Sequence, residues 1–121
     1  TDIPLYEKQT DWIQVQKWAS NNTEKDATFL VPPKTSGFRS YSKRSIVGDW
    51  KDGAPGIFSR RYALKWYARM QSLEKYPKFQ EKDFLNVAKE YDVDFVVTRK
   101  EHKLDFEKVY ENSGFLVYKI P

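Results

Sequence analysis

The sequence predicts an α/β domain: a mixed sheet, parallel at its centre, with a C-terminal antiparallel hairpin and helices packed on the sheet. Three observations carry this expectation. Two short runs, Ala27 to Val31 and Asp94 to Thr98, have the apolar character of strands buried on both faces. Between them lie two longer segments with helical periodicity. Phe106 to Glu111 and Phe115 to Ile120 are joined by Asn112-Ser113-Gly114, turn chemistry that closes an antiparallel hairpin.

Each element has a local reason. Asp11 to Asn21 reads as a helix because Trp12, Val15 and Ala19 recur on one face and Asp11 stands at capping-box spacing from Gln14. Asn21-Asn22-Thr23 ends it, and the same triplet, an N-x-T sequon, needs no glycan to be explained as a turn. Pro32-Pro33 stops the strand Ala27 to Val31, since proline cannot donate to a ladder. Gly37 to Ser42 is a short helix or turn, Ser45 to Gly48 a second short strand, and Lys51 to Gly56 a loop with turn residues. Ser59 caps a helix reaching about Tyr76, where Pro77 stops it, with Tyr62, Trp66, Met70 and Leu73 as its stripe and Arg69 on the same side. Glu81 to Tyr91 is a further helix that buries Phe84, Leu85, Ala88 and Tyr91, and Asp92-Val93 turns into the next strand.

Composition narrows the function. A chain of 121 residues, 40% hydrophobic, forms one domain over 1–121 and can fill a core without disulfides or metal. The absence of cysteine excludes thiolate catalysis and cysteine-based zinc sites. With His102 as the single histidine, in a charged loop, a Ser-His-Asp triad or a two-histidine metal site has almost nothing to be built from. The formal net charge of +4 is spread without any run of five like charges, so no nucleic-acid arm is expected, while an anionic partner or lipid surface is compatible. The five glycines are scattered and match no phosphate-cradling loop, so no cofactor is expected. No apolar stretch approaches the roughly 18 residues of a membrane span. The start at Thr1-Asp2-Ile3-Pro4, without an initiating Met, suggests a piece excised from a longer chain.

The candidate site lies around the second strand. Arg39, Arg44, Asp49, Trp50, Lys51, Trp66 and Arg69 are the ligand-facing or interface candidates; no catalytic or metal-binding residue is assigned. Asp49-Trp50-Lys51 has the Asp-x-Lys form of a metal-dependent phosphoesterase or nuclease, chemistry that also needs a second carboxylate close by. An inward-facing Arg44 or Arg69 calls for a carboxylate, and Asp49 is the expected partner. Functionally, the arginines form an anion clamp for a phosphate, a pyrophosphate-lipid head group or a sugar acid. Among the aromatics Phe38, Tyr41, Trp50, Phe58, Tyr62, Trp66 and Tyr67, most fill the core, and Trp50 is the one expected to stack on a sugar.

The same residues carry a family resemblance. Asn22-Thr23 through Asp26-Ala27, Phe29-Leu30-Val31-Pro32-Pro33, Gly37-Phe38-Arg39, Lys43-Arg44-Ser45-Ile46-Val47 and Asp49-Trp50-Lys51-Asp52-Gly53 resemble a soluble domain at the C-terminal end of bacterial polytopic membrane proteins. Those proteins are similar to GT-C lipid-linked glycosyltransferases and to oligosaccharyltransferase catalytic subunits. Ala88 to Val97 and Val109 to Ile120 resemble the closing strands of such domains, so the likeness spans about Asp11 to Pro121. The tryptophan-rich acceptor-reading motif is not present, since Pro32-Pro33 and Gly37-Phe38 stand in that region, and peptide-acceptor recognition does not carry over. The resemblance implies an extracytoplasmic (periplasmic or cell-surface) accessory domain of an integral membrane protein. Its partners would be the transmembrane region of the same chain and an anionic glycan or polyprenyl-phosphate-sugar. Two alternatives remain from the residues: a metal-dependent phosphoesterase using Asp49 and Lys51, and a protein- or lipid-docking module without a small ligand.

Overall fold

The computed structural model describes residues 5–33, 35, 37–47 and 60–121. Helix α1 (Leu5–Asn22) leads to strand β1 (Thr28–Leu30), the short helix α2 (Phe38–Ser42) and strand β2 (Ser45–Ile46). Helix α3 (Arg60–Ser72), a 3-10 turn at Tyr76–Lys78 and helix α4 (Glu81–Tyr91) follow. Strands β3 (Phe95–Arg99), β4 (Glu107–Glu111) and β5 (Phe115–Lys119) complete the chain. The sheet order is β2-β1-β3-β5-β4, with β1 parallel to both β2 and β3, and β5 antiparallel to both β3 and β4. The expected α/β class and the mixed sheet are therefore present.

Strand alternation divides the core into two halves. Phe29, Val31, Ile46, Val97 and Val117 point to one face, where α1 contributes Val15 and Ala19 and α2 contributes Phe38. Leu30, Val47 and Val96 point to the other, covered by Phe84, Val87 and Ala88 of α4 and by Leu73 and Tyr76 from the turn after α3. Two short parallel strands thus sit between helical layers, which is why their sequences read as unbroken apolar runs. Trp12 bridges α1 to both α2 and β5, its ring 5.5 Å from Phe38 and 4.9 Å from Phe115.

Two boundaries differ from the sequence expectation. Helix α1 begins at Leu5, so Asp11 lies within it instead of capping it. The Asp11 side chain is buried and accepts a hydrogen bond from Ser113 Oγ at 2.9 Å, while its backbone carbonyl accepts one from Asn112 Nδ2 at 2.9 Å. Its polar character serves the hairpin turn, a contact across a hundred positions that no local pattern reveals. Helix α3 ends at Ser72, short of the expected Tyr76, because Pro77 disfavours the α conformation in the residue before it and favours the start of a new turn. A true capping box stands at α4, where Asp83 Oδ2 accepts from the Gln80 backbone at 2.9 Å.

The β4–β5 turn is held from inside. Asn112 Oδ1 accepts from the backbone N–H groups of Gly114 and Phe115 at 3.0 and 2.9 Å, while Nδ2 of the same side chain reaches α1. A Cβ on Gly114 would lie 2.9 Å from Asp11 Oδ2, so the close approach of α1 requires glycine there. Beyond the turn, hydrogen bonds from Lys100 and then Lys108 hold the Glu111 carboxyl at about 2, against an ordinary 4.5.

Asn112→Ala removes four side-chain hydrogen bonds at once, and denaturant unfolding is expected to show a loss of about 2–3 kcal/mol. Glu111 has a depressed folded pKa, so its contribution is present above the ordinary carboxylate range and disappears as pH falls through about 2. A carboxyl NMR titration of Glu111 should give a midpoint near that value, and Lys100→Ala should move it back toward 4.5.

Candidate functional site

Arg44 is the residue whose placement departs most from the sequence reading. The backbone at Lys43 takes the left-handed conformation (φ 57°), and this turn sends Arg44 inward, where it is 7% exposed. Its Nε donates to Thr23 Oγ1 at 2.9 Å, and its NH2 group to the carbonyls of Ser20 and Thr23 at 3.0 and 2.7 Å. The NH1 group donates to the carbonyls of Ser42 and Lys43, both at 3.3 Å. These contacts occupy all five guanidinium donors. No donor remains for a ligand or for the partnership with Asp49 expected from sequence, and Arg44 is a helix cap. The end of α1 leaves carbonyls without intrahelical partners, and a cation there is also favoured by the helix dipole.

Arg39 and Arg69, by contrast, come together on the outside. Arg39 on α2 and Arg69 on α3 line one groove of about 300 Å³ with Thr28, Ser45, Ile46, Val47 and Tyr91. Arg69 is held on two sides: NH1 donates to the Val47 carbonyl at 3.1 Å, and the guanidinium carbon stands 5.7 Å from the centroid of the Tyr91 ring. The Tyr91 hydroxyl is in turn paired with Ser72 Oγ at 3.3 Å. Val47 directly follows the edge strand β2, so this hydrogen bond ties α3 to the end of that strand. Among the described residues, the groove lining contains two guanidinium groups and three hydroxyls and no carboxylate. Such a set favours an anion with several acceptor oxygens.

The remaining sequence candidates divide as follows. Trp66 is half-buried on α3 and is absent from the groove lining. Asp49, Trp50 and Lys51, with Phe58, lie outside the described residues. Phe38 is core, and Tyr41 and Tyr67 are exposed. Among the described residues no three His, Asp or Glu side chains group as a metal site.

A larger cleft, of about 530 Å³, was not visible to sequence reasoning. From β1 the chain runs to β2 on one side and returns through α3 and α4 to β3 on the other. The carboxyl ends of strands at such a reversal diverge and leave a crevice. Pro32 and Pro33 after β1, and Arg99, Glu101 and His102 at the end of β3, line it on one side; Met70, Leu73, Tyr76 and Pro77 form the apolar wall opposite. His102, in the charged loop after β3, is packed against Tyr76 and Phe84 with ring centroids 5.8 and 5.4 Å away. Its Nε2 stands 2.8 Å from the Phe79 carbonyl and must carry the proton, since a carbonyl only accepts. Burial raises the Tyr76 hydroxyl pKa, and that hydroxyl donates to the Val97 carbonyl. The only sequence signal was the Pro-Pro pair, whose meaning depends on a strand order that one sequence does not display.

A family model described as a domain of unknown function, DUF6798, matches residues 10–73, more than half of the chain. The chain belongs to this family. The matched part runs from α1 through α3 and includes Arg39, Arg44 and Arg69, whereas Arg99 and His102 fall beyond it. No curated protein and no solved structure matches the chain.

Arg44→Ala should lower stability by about 3 kcal/mol in denaturant unfolding, because it strips the caps from buried carbonyls. Anion binding measured under folded conditions should be unchanged by the same substitution, as expected for a structural arginine.

Proposed function

We propose that this DUF6798 domain is an accessory, non-catalytic, extracytoplasmic module of a multi-spanning membrane protein, and that it holds the anionic part of a lipid-linked sugar or glycan. The observation that carries the reading is the groove in which Arg39 and Arg69 face one space, with no carboxylate among the described residues of its lining. Binding a diphosphate or sugar phosphate there uses the planar donor sets of both guanidinium groups, with Thr28 and Ser45 able to contribute hydroxyls. In sequence, Asp49, Trp50 and Lys51 come after Val47 and Gly48. The membrane setting and the sugar-transfer context rest on the sequence resemblance. Among the described residues no helix is long and apolar enough to cross a membrane, so in this reading the spans belong to other parts of the protein.

Titration calorimetry with inorganic pyrophosphate and with a short-chain prenyl phosphate tests the reading. Both ligands should bind, and Arg39→Ala and Arg69→Ala should each weaken binding about tenfold or more, since a hydrogen bond to a charged group contributes about 1.5–3 kcal/mol. Equal affinity in wild type and both variants would remove the groove as the site.

A further inference from the structure

Helix α3 has an electrostatic character unlike the rest of the chain. Its thirteen residues, Arg60–Ser72, contain Arg60, Arg61, Lys65 and Arg69 and no acidic residue. The whole chain has a formal net charge of +4, so this one helix accounts for the entire excess and the remaining sequence is balanced.

The placement of these charges is unfavourable for an isolated helix. Arg61, Lys65 and Arg69 are all exposed and stand at successive i, i+4 positions, where like charges repel along one ridge. Leu64 stands one turn from Arg61, and Tyr67 one turn further along, the two 59% and 56% exposed. They are the two most exposed large hydrophobic residues among those described, and they share one helix. Met70, one turn beyond Tyr67, is buried, so the helix has a seated side and an outward arc that is apolar along one edge and cationic along the other. An outward arc with leucine and tyrosine along one edge and arginine and lysine along the other suits the boundary between head groups and acyl chains, where aromatic rings sit at head-group level and long cationic side chains reach up to phosphates.

We infer that α3 is a lipid-surface docking helix: Leu64 and Tyr67 insert shallowly while Arg61, Lys65 and Arg69 engage the phosphates of an anionic bilayer. Charge complementarity selects this occupant. A neutral partner would leave the cationic ladder unrelieved, and a second copy of the same face would double its repulsion. Vesicle binding through Arg61, Lys65, Leu64 and Tyr67 requires nothing of the groove's ligand, since none of these four lines the groove.

The test is co-sedimentation of the 121-residue chain with phosphatidylcholine vesicles, either pure or containing about a third phosphatidylglycerol. Binding is expected only to the anionic vesicles and should fall steeply as salt is raised from about 0.05 to 0.5 M. The double substitution Arg61→Glu/Lys65→Glu should weaken it about tenfold or more, and Leu64→Ser/Tyr67→Ser several-fold, with unchanged far-UV circular dichroism. Equal binding to both vesicle types, no binding to the anionic ones, or retention by the charge-reversed variant would each overturn the inference. Self-association without vesicle binding would overturn it too, and would assign the face to a second copy of the chain. Pyrophosphate binding that persists in Arg61→Glu/Lys65→Glu separates this result from that of the groove.

Discussion

The guanidinium of Arg44 is the contact on which the outer half of the parallel sheet depends. It joins three segments that no backbone ladder connects directly: the end of α1, the turn through Thr23, and the α2–β2 corner. β2 has only two residues and one sheet neighbour, so its own ladder is a weak anchor. Gln16 adds a second tie, accepting from the Tyr41 backbone at 3.1 Å. With α2 fixed to α1 in this way, Arg39 is carried to the groove beside β2, where Arg69 donates to the Val47 carbonyl. One buried arginine therefore positions two exposed ones. Burial of a charge is tolerated here because five neutral acceptors replace its water, a solution that avoids holding a buried carboxylate as well.

Two concave regions flank the parallel strands, and their chemistry differs. The cleft at the carboxyl ends of β1 and β3 has an apolar wall and charges of both signs, with the single histidine committed through Nε2 to a backbone carbonyl. The groove at β2 is smaller, and the charged residues among its described lining are both cations. An apolar body with a polar end suits the first, and a multivalent anion the second. The family match covers the elements that build the groove and stops at Leu73, where the cleft's wall begins to be completed by Tyr76 and the end of β3.

Local signals in the sequence were read correctly where local physics decides. The helix Glu81–Tyr91 has the bounds expected from its apolar spacing, and the hairpin follows from Asn112-Ser113-Gly114. Failures occurred where a polar side chain acts at long range. Asp11 has the look of an N-cap, yet its partners are Ser113 and Asn112; Arg44 calls for an acid by charge alone, yet carbonyls satisfy it. Backbone acceptors leave no residue-type signature, so a sequence cannot announce them. The cleft was invisible for a different reason: Pro32 and His102 are brought to one space by the crossing of β1 and β3, a property of strand order.

The distribution of charge along the chain links these features. A surface that repels itself along one helix is stabilised by whatever neutralises it, so Arg61 and Lys65 are an unfavourable arrangement in isolation and a favourable one against phosphates. Arg69 shows both conditions in a single residue. On its inner side it is satisfied by a carbonyl and the face of Tyr91; on its outer side it continues the cationic ridge. Because Met70 is buried and Leu73, directly after the helix, is held in the second core, the outward ridge cannot rotate away from solvent. The core thus holds Leu64 and Tyr67 outward, and the same packing that builds the groove presents the helix to an anionic surface.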